Sequence, residues 1–282
     1  MTANRRNFLY SSALGFIAAA GVPSLVRNPK ITTTVSDRYP AIPLDSINKV
    51  VSASHSDLDK VMELVNERPE LANATWDWGW GDIESALGAA SHMGRKDIAE
   101  FLISKGARQD LFSMVMMGQL EASKAVIKAN PGIQGIPGPH GISLLRHAKA
   151  RLRWKDKMST SEIQEMEEMI EYLGSFDDAD LTPERMMMDD SEKEGYVGDY
   201  KFGEGPRDVL VVKKNRRGML SLARKGEFGK GMYKVSGVPP SSSTFKLESI
   251  PSISVEFIYE DKKVIEILIS EPDFRLKGVK IS

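Results

Sequence analysis

The chain has 282 residues, of which 41% are hydrophobic and 27% are charged, so it is long enough to bury a core in each of two domains. Its formal net charge is −1, which gives no overall attraction to nucleic acid or to an anionic membrane surface. It has no cysteine, and this excludes disulfides, thiolate nucleophiles and cysteine-bound zinc or iron–sulfur clusters.

Residues 1–26 have the composition of an export signal. Arg5 and Arg6 are followed by Asn7-Phe8-Leu9 and then by an uncharged run that extends to Val26. This order resembles the twin-arginine export signals of bacteria, in which small residues such as Ala18-Ala19-Ala20 permit cleavage. The resemblance implies a periplasmic or extracellular protein with no stable membrane span after cleavage. A retained membrane anchor is the alternative, because the uncharged run is just long enough to cross a bilayer.

Residues 27–43 form a tether in this interpretation. They contain three prolines and the run Thr32-Thr33-Thr34, a composition typical of extended linkers. We expect the mature fold to begin near Leu44.

Residues 44–174 are predicted to be short helices in repeated pairs. The clearest pair is Ser85–Ala107, where one apolar helix face precedes Gly94 and a second precedes Gly106. Two such helices cannot bury their apolar faces alone, so neighbouring pairs of the same kind are expected. Three further pairs follow from the same pattern, at 47–66, at 111–129 and at 141–173, the last with its second helix at Ser161–Leu173.

These pairs resemble ankyrin repeats. Ser85-Ala86-Leu87-Gly88 stands where that family usually has Thr-Pro-Leu-His, and Gly106-Ala107 matches its terminal Gly-Ala. Gly141–Ala148 repeats the same resemblance in the fourth pair. The resemblance implies an ankyrin-like array that binds another protein.

The last part of the chain has a different pattern. After a polar, acidic connection at 175–194, many short apolar segments alternate with turns every eight to twelve residues from 195 to 282. This rhythm predicts a small antiparallel β-barrel or sandwich. The opening Gly195–Tyr200 resembles the lipocalin-like domain appended to some serine β-lactamase-like proteins of bacteria. The predicted fold class is therefore multidomain α + β, with an ankyrin-like helical array followed by a small β-domain.

The four histidines are candidates for chemistry, namely His55, His92, His140 and His147. Three of them fall at matching points of the predicted repeats, where an imidazole can bond to loop backbone, so we interpret them as structural. No His-x-x-x-His or His-Glu-x-x-His spacing is present, and we therefore predict no metal site and no cofactor.

Other motifs do not indicate catalysis. Ser46-Ile47-Asn48-Lys49 fits the Ser-x-x-Lys signature of penicillin-recognising enzymes, but its partner motifs are missing. The glycine-rich stretch Gly226–Gly231 lacks the strand–loop–helix context of a phosphate loop and is interpreted as a turn. Lys213–Arg217 is interpreted as a basic hairpin turn. We therefore predict that the protein is not an enzyme.

Three of the four tryptophans are Trp76, Trp78 and Trp80, which lie between two predicted repeats. In an extended segment they point to one side. Exposed, they would form a binding surface of the kind that carries most of an interface's energy. Packing against the β-domain or the first repeat is the alternative. We take them as the candidate binding residues.

Two functions remain open at this point. The first is an exported, non-enzymatic binding or scaffold protein that uses its helical array to contact another protein. The second is a protein that binds a small ligand, or assists an enzyme, with its site in the β-domain. A filled apolar barrel interior would favour the first, and convergent polar side chains inside the barrel would favour the second.

Overall fold

The computed structural model of the protein describes residues 38–180, 185–205, 208–215, 217–227, 229–236 and 242–282. The chain divides into two compact units, Met1–Ala41 and Ile42–Ser282. Of the first unit only residues 38–41 are described, and they form a turn. The predicted export signal at 1–26 and most of the predicted tether at 27–43 therefore lie outside the described residues.

The described part of the second unit contains nine α-helices followed by a β-barrel. The helices are α1 Leu44–Ala53, α2 Leu58–Glu67, α3 Ala86–His92, α4 Lys96–Ser104, α5 Leu111–Met116, α6 Leu120–Ala129, α7 Leu144–Arg151, α8 Thr160–Gly174 and α9 Asp190–Tyr196. A short hairpin of β1 Thr75–Asp77 and β2 Ile83–Ser85 separates α2 from α3.

Side chains at the helix starts explain where several of these helices begin. Ser85 and Ser143 accept hydrogen bonds from backbone amides three residues on, at the starts of α3 and α7. Asp110 and Ser159 form reciprocal capping boxes at the starts of α5 and α8. These caps satisfy amides that an isolated helix leaves without partners.

The helices pack in pairs, and the pairs stack in chain order. α1 lies on α2, α3 on α4, α5 on α6 and α7 on α8, while α1, α3, α5 and α7 also contact one another in series. The turn after α3 requires Gly94, which has a φ of +71° and approaches the carbonyl of Ala150 so closely that a Cβ would overlap it. This close approach brings α3 against the end of α7.

Two apolar cores lie inside the helical region. One is formed chiefly by α1 to α4 and includes Val51, Val61 and Leu102, all fully buried. The other is formed by α5 to α8 and includes Leu144 and Met169. Since no short helix pair has a core of its own, each depends on its neighbours.

The β-domain is a closed antiparallel barrel. Its strands are β3 Gly198–Lys201, β4 Val209–Lys214, β5 Leu220–Arg224, β6 Lys230–Ser236, β7 Ser242–Leu247, β8 Ile250–Glu260, β9 Lys263–Ser270 and β10 Arg275–Lys280. Each strand pairs with the next, and β10 pairs with β3 to close the ring. The barrel predicted from the strand rhythm is confirmed, and the closure excludes the sandwich alternative.

The barrel interior is filled by aromatic side chains. Tyr196, Tyr200, Phe245 and Phe257 are all at most 1% exposed, and Tyr196 lies 4.9–5.0 Å, centroid to centroid, from the two phenylalanine rings. The hydroxyl of Tyr259 donates to that of Tyr196 at 2.7 Å, so this buried polar group is satisfied. The hydroxyls of Tyr196, Ser243 and Tyr259 form a small polar group beside these rings, so the interior contains both apolar and hydrogen-bonded polar side chains.

The predicted linker at 175–194 ends in a helix. Its last residues form α9, which Asp189 caps through the amide of Glu192 at 2.7 Å. The helix runs across the predicted boundary at 194/195 because Tyr196, at its end, is buried in the barrel core. α9 therefore belongs to the β-domain.

Candidate functional site

The hairpin β1–β2 is the element that positions the candidate site. Its strands pair Trp76 with Glu84 and Asp77 with Ile83, and the turn between them contains Gly79, Trp80 and Gly81, all with positive φ. Because side chains alternate along a strand, Trp76 and Glu84 share one face of the hairpin while Asp77 and Ile83 share the other. The first face points toward the helices, since Glu84 is fully buried and Ile83 is 57% exposed.

Three histidines converge on the Glu84 carboxylate. His55 lies in the turn between α1 and α2, His92 is the last residue of α3, and His140 lies in a 3-10 turn at 139–141. Their Nε2 atoms lie 3.4, 2.9 and 3.4 Å, respectively, from the nearer Glu84 oxygen. One ligand atom from each of the four side chains lies within 4.8 Å of all the others. We call these four residues the histidine centre.

Groups behind the histidine centre fix the imidazole rings. The Nδ1 of His55 lies 3.1 Å from the carbonyl oxygen of Val51, and the Nδ1 of His140 lies 2.7 Å from Oδ2 of Asp82. A carbonyl and a carboxylate only accept hydrogen bonds, so Nδ1 carries the proton in both rings. When these rings are neutral, Nε2 therefore presents a lone pair toward Glu84. Metal-binding histidines have this same arrangement.

The inner part of the histidine centre is shielded from solvent. The Glu84 side chain is fully buried, and that of His92 is 8% exposed. Trp78 donates its indole N–H to Oε2 of Glu84 at 2.8 Å. Within the described part of the chain, Oε1 of Glu84 and Nε2 of His92 have no hydrogen-bond partner, although they are 2.9 Å apart, because their geometry is not that of a hydrogen bond. Oε1 of Glu84 and Nε2 of His92 are therefore two neighbouring buried polar atoms that do not form a hydrogen bond with each other.

Asp82 connects the histidine centre to the barrel. Its Oδ2 accepts hydrogen bonds from His140 and from Lys230 of β6, whose side chains are largely buried. Burial works to raise the pKa of Asp82, but the bonds from His140 and Lys230 outweigh it and lower that pKa to about 2. Burial likewise works to lower the pKa of His140, but Asp82 and Glu84 raise it to about 9. At neutral pH the Asp82 carboxylate therefore carries negative charge and the His140 imidazole carries positive charge.

The pKa of Glu84 is also well below its ordinary value. Burial alone would raise it, but the imidazoles of His140 and His92 outweigh that effect. Burial lowers the pKa of His92. A buried anion surrounded by imidazoles attracts a proton or a metal cation, and either would occupy the space between the facing acceptors.

The fourth histidine lies outside the histidine centre. His147 is fully buried, its Nδ1 lies 2.8 Å from the carbonyl oxygen of Ser143, and its ring packs 4.9 Å from Phe112, centroid to centroid. Burial lowers the pKa of His147 to about 4, so its ring is neutral. The backbone contact expected for repeat histidines is present in His147 and in His55, but His55 also faces the centre through its other nitrogen.

The spacing of these residues in the sequence does not predict the histidine centre, although one repeated tripeptide indicated that two of its histidines are equivalent. Its four members come from two turns, the end of a helix and a strand, so no fixed spacing relates them. The tripeptide is Ala53-Ser54-His55, repeated as Ala90-Ser91-His92. Stacked helix pairs bring equivalent positions together, and the two rings are 5.0 Å apart between centroids.

The three candidate tryptophans are half-buried and divided between the two cores. Trp76 and Trp78 pack against the core of α1 to α4, and Trp80 packs against the barrel core. Trp80 donates its indole N–H to Glu271 of the barrel at 3.0 Å. The hairpin thus connects the helices to the barrel, which matches the packing alternative for these residues.

The tryptophans also line a cleft of about 1110 Å³ between the hairpin, the start of α1 and the mouth of the barrel. Residues 76–80 form its inner wall, Leu44 and Asp45 lie on the helical side, and Phe202, Lys230 and Phe274 lie on the barrel side. We call this space the cleft. It lies outside the filled barrel interior.

The remaining sequence motifs do not form sites. Lys49 binds Asp45 at 2.6 Å, as expected for neighbours one helical turn apart and not for activation of Ser46 as a nucleophile. Gly226 lies in the turn between β5 and β6. At the basic turn, Lys214 pairs with Glu194 at 2.5 Å, so part of its charge is balanced within the chain.

No known protein that resembles this chain assigns a function to the site. None of the helices in the described ranges has the length and apolar character needed to cross a bilayer. No protein-family model matches the sequence. Searches of curated proteins and of solved structures likewise find no match.

Proposed function

We propose that this chain is a non-enzymatic binding protein that holds one divalent transition-metal ion, of the zinc type, in the histidine centre. The observation that carries the proposal is the convergence of three Nε2 atoms on a buried carboxylate. In a tetrahedral zinc site with bonds of about 2.0–2.1 Å, neighbouring ligand atoms are about 3.3–3.4 Å apart. Oε1 of Glu84 lies 2.9 and 3.4 Å from Nε2 of His92 and His140, and Oε2 lies 3.4 Å from Nε2 of His55, which are distances close to that separation.

The donor set indicates which metals fit. Imidazole nitrogens suit zinc, copper, nickel and iron, whereas calcium and magnesium prefer an all-oxygen shell. Three nitrogens with one carboxylate oxygen complete a four-coordinate site. Zn²⁺ has the additional advantage that it imposes no geometry of its own, so a shell assembled from two turns, a helix end and a strand can adapt to it.

A four-ligand shell favours a structural or storage role over catalysis. Catalytic zinc sites leave one position open for water, whereas the histidine centre supplies four protein ligands and buries two of them. A bound ion would fasten the hairpin to the helices, since His55, His92 and His140 come from the helical region and Glu84 comes from β2. It would also replace the contacts that Glu84 and His92 lack.

The first test is the amount of metal that the protein retains. Protein stripped with a chelator and given a small excess of Zn²⁺ should retain one equivalent after desalting, measured by plasma mass spectrometry. His92→Ala and His140→Ala should each weaken binding by about 100-fold or more in competition with a chromogenic chelator, because they remove ligands, whereas loss of an outer contact costs about 10–100-fold. His147→Gln is the matched control and should retain the full equivalent.

Two results would contradict the metal proposal. One is wild-type protein that retains no transition metal after loading with Zn²⁺, Cu²⁺ or Ni²⁺. The other is equal retention by the His92→Ala, His140→Ala and His147→Gln variants, because metal would then be bound elsewhere. Circular dichroism of each variant must show the native spectrum, so that unfolding is not mistaken for loss of a ligand.

A second candidate function is protein binding by the helical region, and the stacked helix pairs support it. Ser85 and Ser143 cap corresponding first helices, α3 and α7, as the ankyrin-like pattern of those units implies. We include in this proposal the export suggested by residues 1–26 and a location in the periplasm or outside the cell. Recovery of one specific partner from cell-envelope extract on the immobilised mature protein would support this proposal. Recovery of the same proteins on an unrelated exported protein would contradict it.

A further inference from the structure

The cleft combines an aromatic wall with exposed apolar side chains. Trp76, Trp78, Trp80 and Phe202 all line it. Leu44, Phe274 and Leu276 also line the cleft and are 46%, 49% and 37% exposed, respectively. Exposed apolar surface gathered in a concave site is typical of a place where a ligand binds.

Acidic side chains in the cleft outnumber the basic ones. The described lining contains five carboxylates and two basic side chains, Arg224 and Lys230. Lys230 is bound to Asp82, behind the wall of the cleft, and Asp45 is paired with Lys49. Among the described lining residues this leaves four carboxylates, at Asp77, Asp208, Glu227 and Glu271, and a single arginine.

These four carboxylates have no ion-pair partner in the described part of the chain. The hydrogen bonds that three of them accept come from neutral groups: Gly79 N–H to Asp77, Gly205 N–H to Asp208 and the Trp80 indole to Glu271. Neutral donors orient a carboxylate without cancelling its charge. Among the described lining residues, negative charges therefore outnumber positive charges beside an aromatic surface.

We propose that the cleft binds a small organic cation with an apolar body. An ammonium group is attracted both by carboxylates and by the faces of tryptophan rings. An apolar body would cover the exposed side chains at the barrel mouth, and a volume of about 1110 Å³ accommodates a molecule of drug-like size. This site is distinct from the histidine centre, although Trp78 contacts both, because its ring lines the cleft and its N–H binds Glu84.

Benzyltrimethylammonium is a suitable probe, with benzenesulfonate as the anionic control and benzyl alcohol as the neutral one. Titration into wild-type protein should give saturable binding of the cation, seen by calorimetry and by quenching of tryptophan emission. The two controls should bind at least about tenfold more weakly, because they lose the charge attraction. Raising the salt concentration should weaken the cation's binding and leave that of benzyl alcohol unchanged.

Three variants assign the binding to the cleft. Asp77→Asn and Glu227→Gln should each weaken binding of the cation about three- to tenfold, the effect of one partly screened charge a few ångströms away. Phe274→Ala should weaken it about two- to fivefold through loss of one aromatic contact. All three positions are at least partly exposed, so these changes should leave folding intact. Glu260→Gln, at the exposed end of β8 and outside the cleft lining, is the matched control and should bind as wild type does.

The proposal is overturned if the cation does not bind, if benzenesulfonate or benzyl alcohol binds as tightly, or if the cleft variants bind the cation as Glu260→Gln does. The measurement is made with metal-loaded and with metal-free protein. Failure of the histidine centre appears as loss of zinc retention, whereas failure of the cleft appears as loss of cation binding at unchanged zinc content.

Discussion

Glu84→Gln separates a metal centre from a buried cluster of ion pairs. The glutamine side chain has nearly the same shape as glutamate and still accepts the Trp78 indole hydrogen bond, but it is neutral and a poor metal ligand. If three imidazoles merely balance the carboxylate, the substitution changes stability by the same amount with and without metal. If a metal ion binds, the substitution removes the stabilisation that the metal adds.

The expected size follows from mass action. Zinc at 100 times its dissociation constant stabilises wild-type protein by about 2.7 kcal/mol, which is roughly 5–10 °C in melting temperature for a folding unit of this size. A 100-fold weaker site in Glu84→Gln gains only about 0.4 kcal/mol at the same zinc concentration. The fully buried position of Glu84 excludes water as a ready replacement ligand.

The assay is urea or thermal unfolding of wild type and Glu84→Gln, each with chelator and with zinc. The quantity compared is the zinc increment of each protein, so any loss of stability in the metal-free variant cancels. An increment in Glu84→Gln equal to that of wild type would refute the role of Glu84 as a ligand. The absence of an increment in both proteins would refute the metal centre altogether.

Three further predictions concern the core, the link to the barrel and export. Leu102→Ala should lower the free energy of unfolding by about 2–5 kcal/mol, measured in urea, because Leu102 is fully buried in the core of α1 to α4; a change no larger than that of a surface substitution would contradict this packing. Lys230→Met should lower the same free energy by roughly 3–5 kcal/mol, because it leaves Asp82 buried without its ammonium partner, and an unchanged urea midpoint would show that the pair adds nothing. Replacing both Arg5 and Arg6 by lysine should retain the protein in the cytoplasm, and unchanged periplasmic yield on cell fractionation would exclude a twin-arginine signal.

The barrel was largely predictable because its strands are local patterns. Alternating apolar residues and turn signals predicted many short strands from 195 to 282, and the described residues of that region form eight strands. The choice between a barrel and a sandwich was not predictable. It depends on the pairing of β10 with β3, which are far apart in sequence, and no local pattern encodes that contact.

The helical region was predictable for a similar reason, but its junction with the barrel was not. Caps and glycines mark the helix ends, and α8 extends the predicted helix by one residue at each end. Residues 190–194 of α9 were interpreted as linker because the segment 175–194 is polar and acidic. Its helix is stabilised by burial of Tyr196 inside the barrel, and tertiary contact of this kind overrides weak local propensity.

The position of each residue of the histidine centre is set by tertiary structure. His140 requires a backbone turn with a φ of +58° in a proline- and glycine-rich loop, and Glu84 requires the hairpin register that places it opposite Trp76. Neither condition is visible in residue spacing. The tryptophans were recognised as a group because they are close in sequence, but their division between two cores follows from the turn at 79–81.

The most direct measurement is anomalous X-ray scattering at the zinc absorption edge from crystals grown with one equivalent of zinc. The proposed centre predicts one strong peak, about 2.0–2.1 Å from Nε2 of His55, His92 and His140 and about 2.0–2.2 Å from a Glu84 oxygen. The peak should vanish in data collected just below the edge. A map with no peak among these four side chains, or with its strongest peak at the carboxylates of the cleft, would contradict the proposed metal centre.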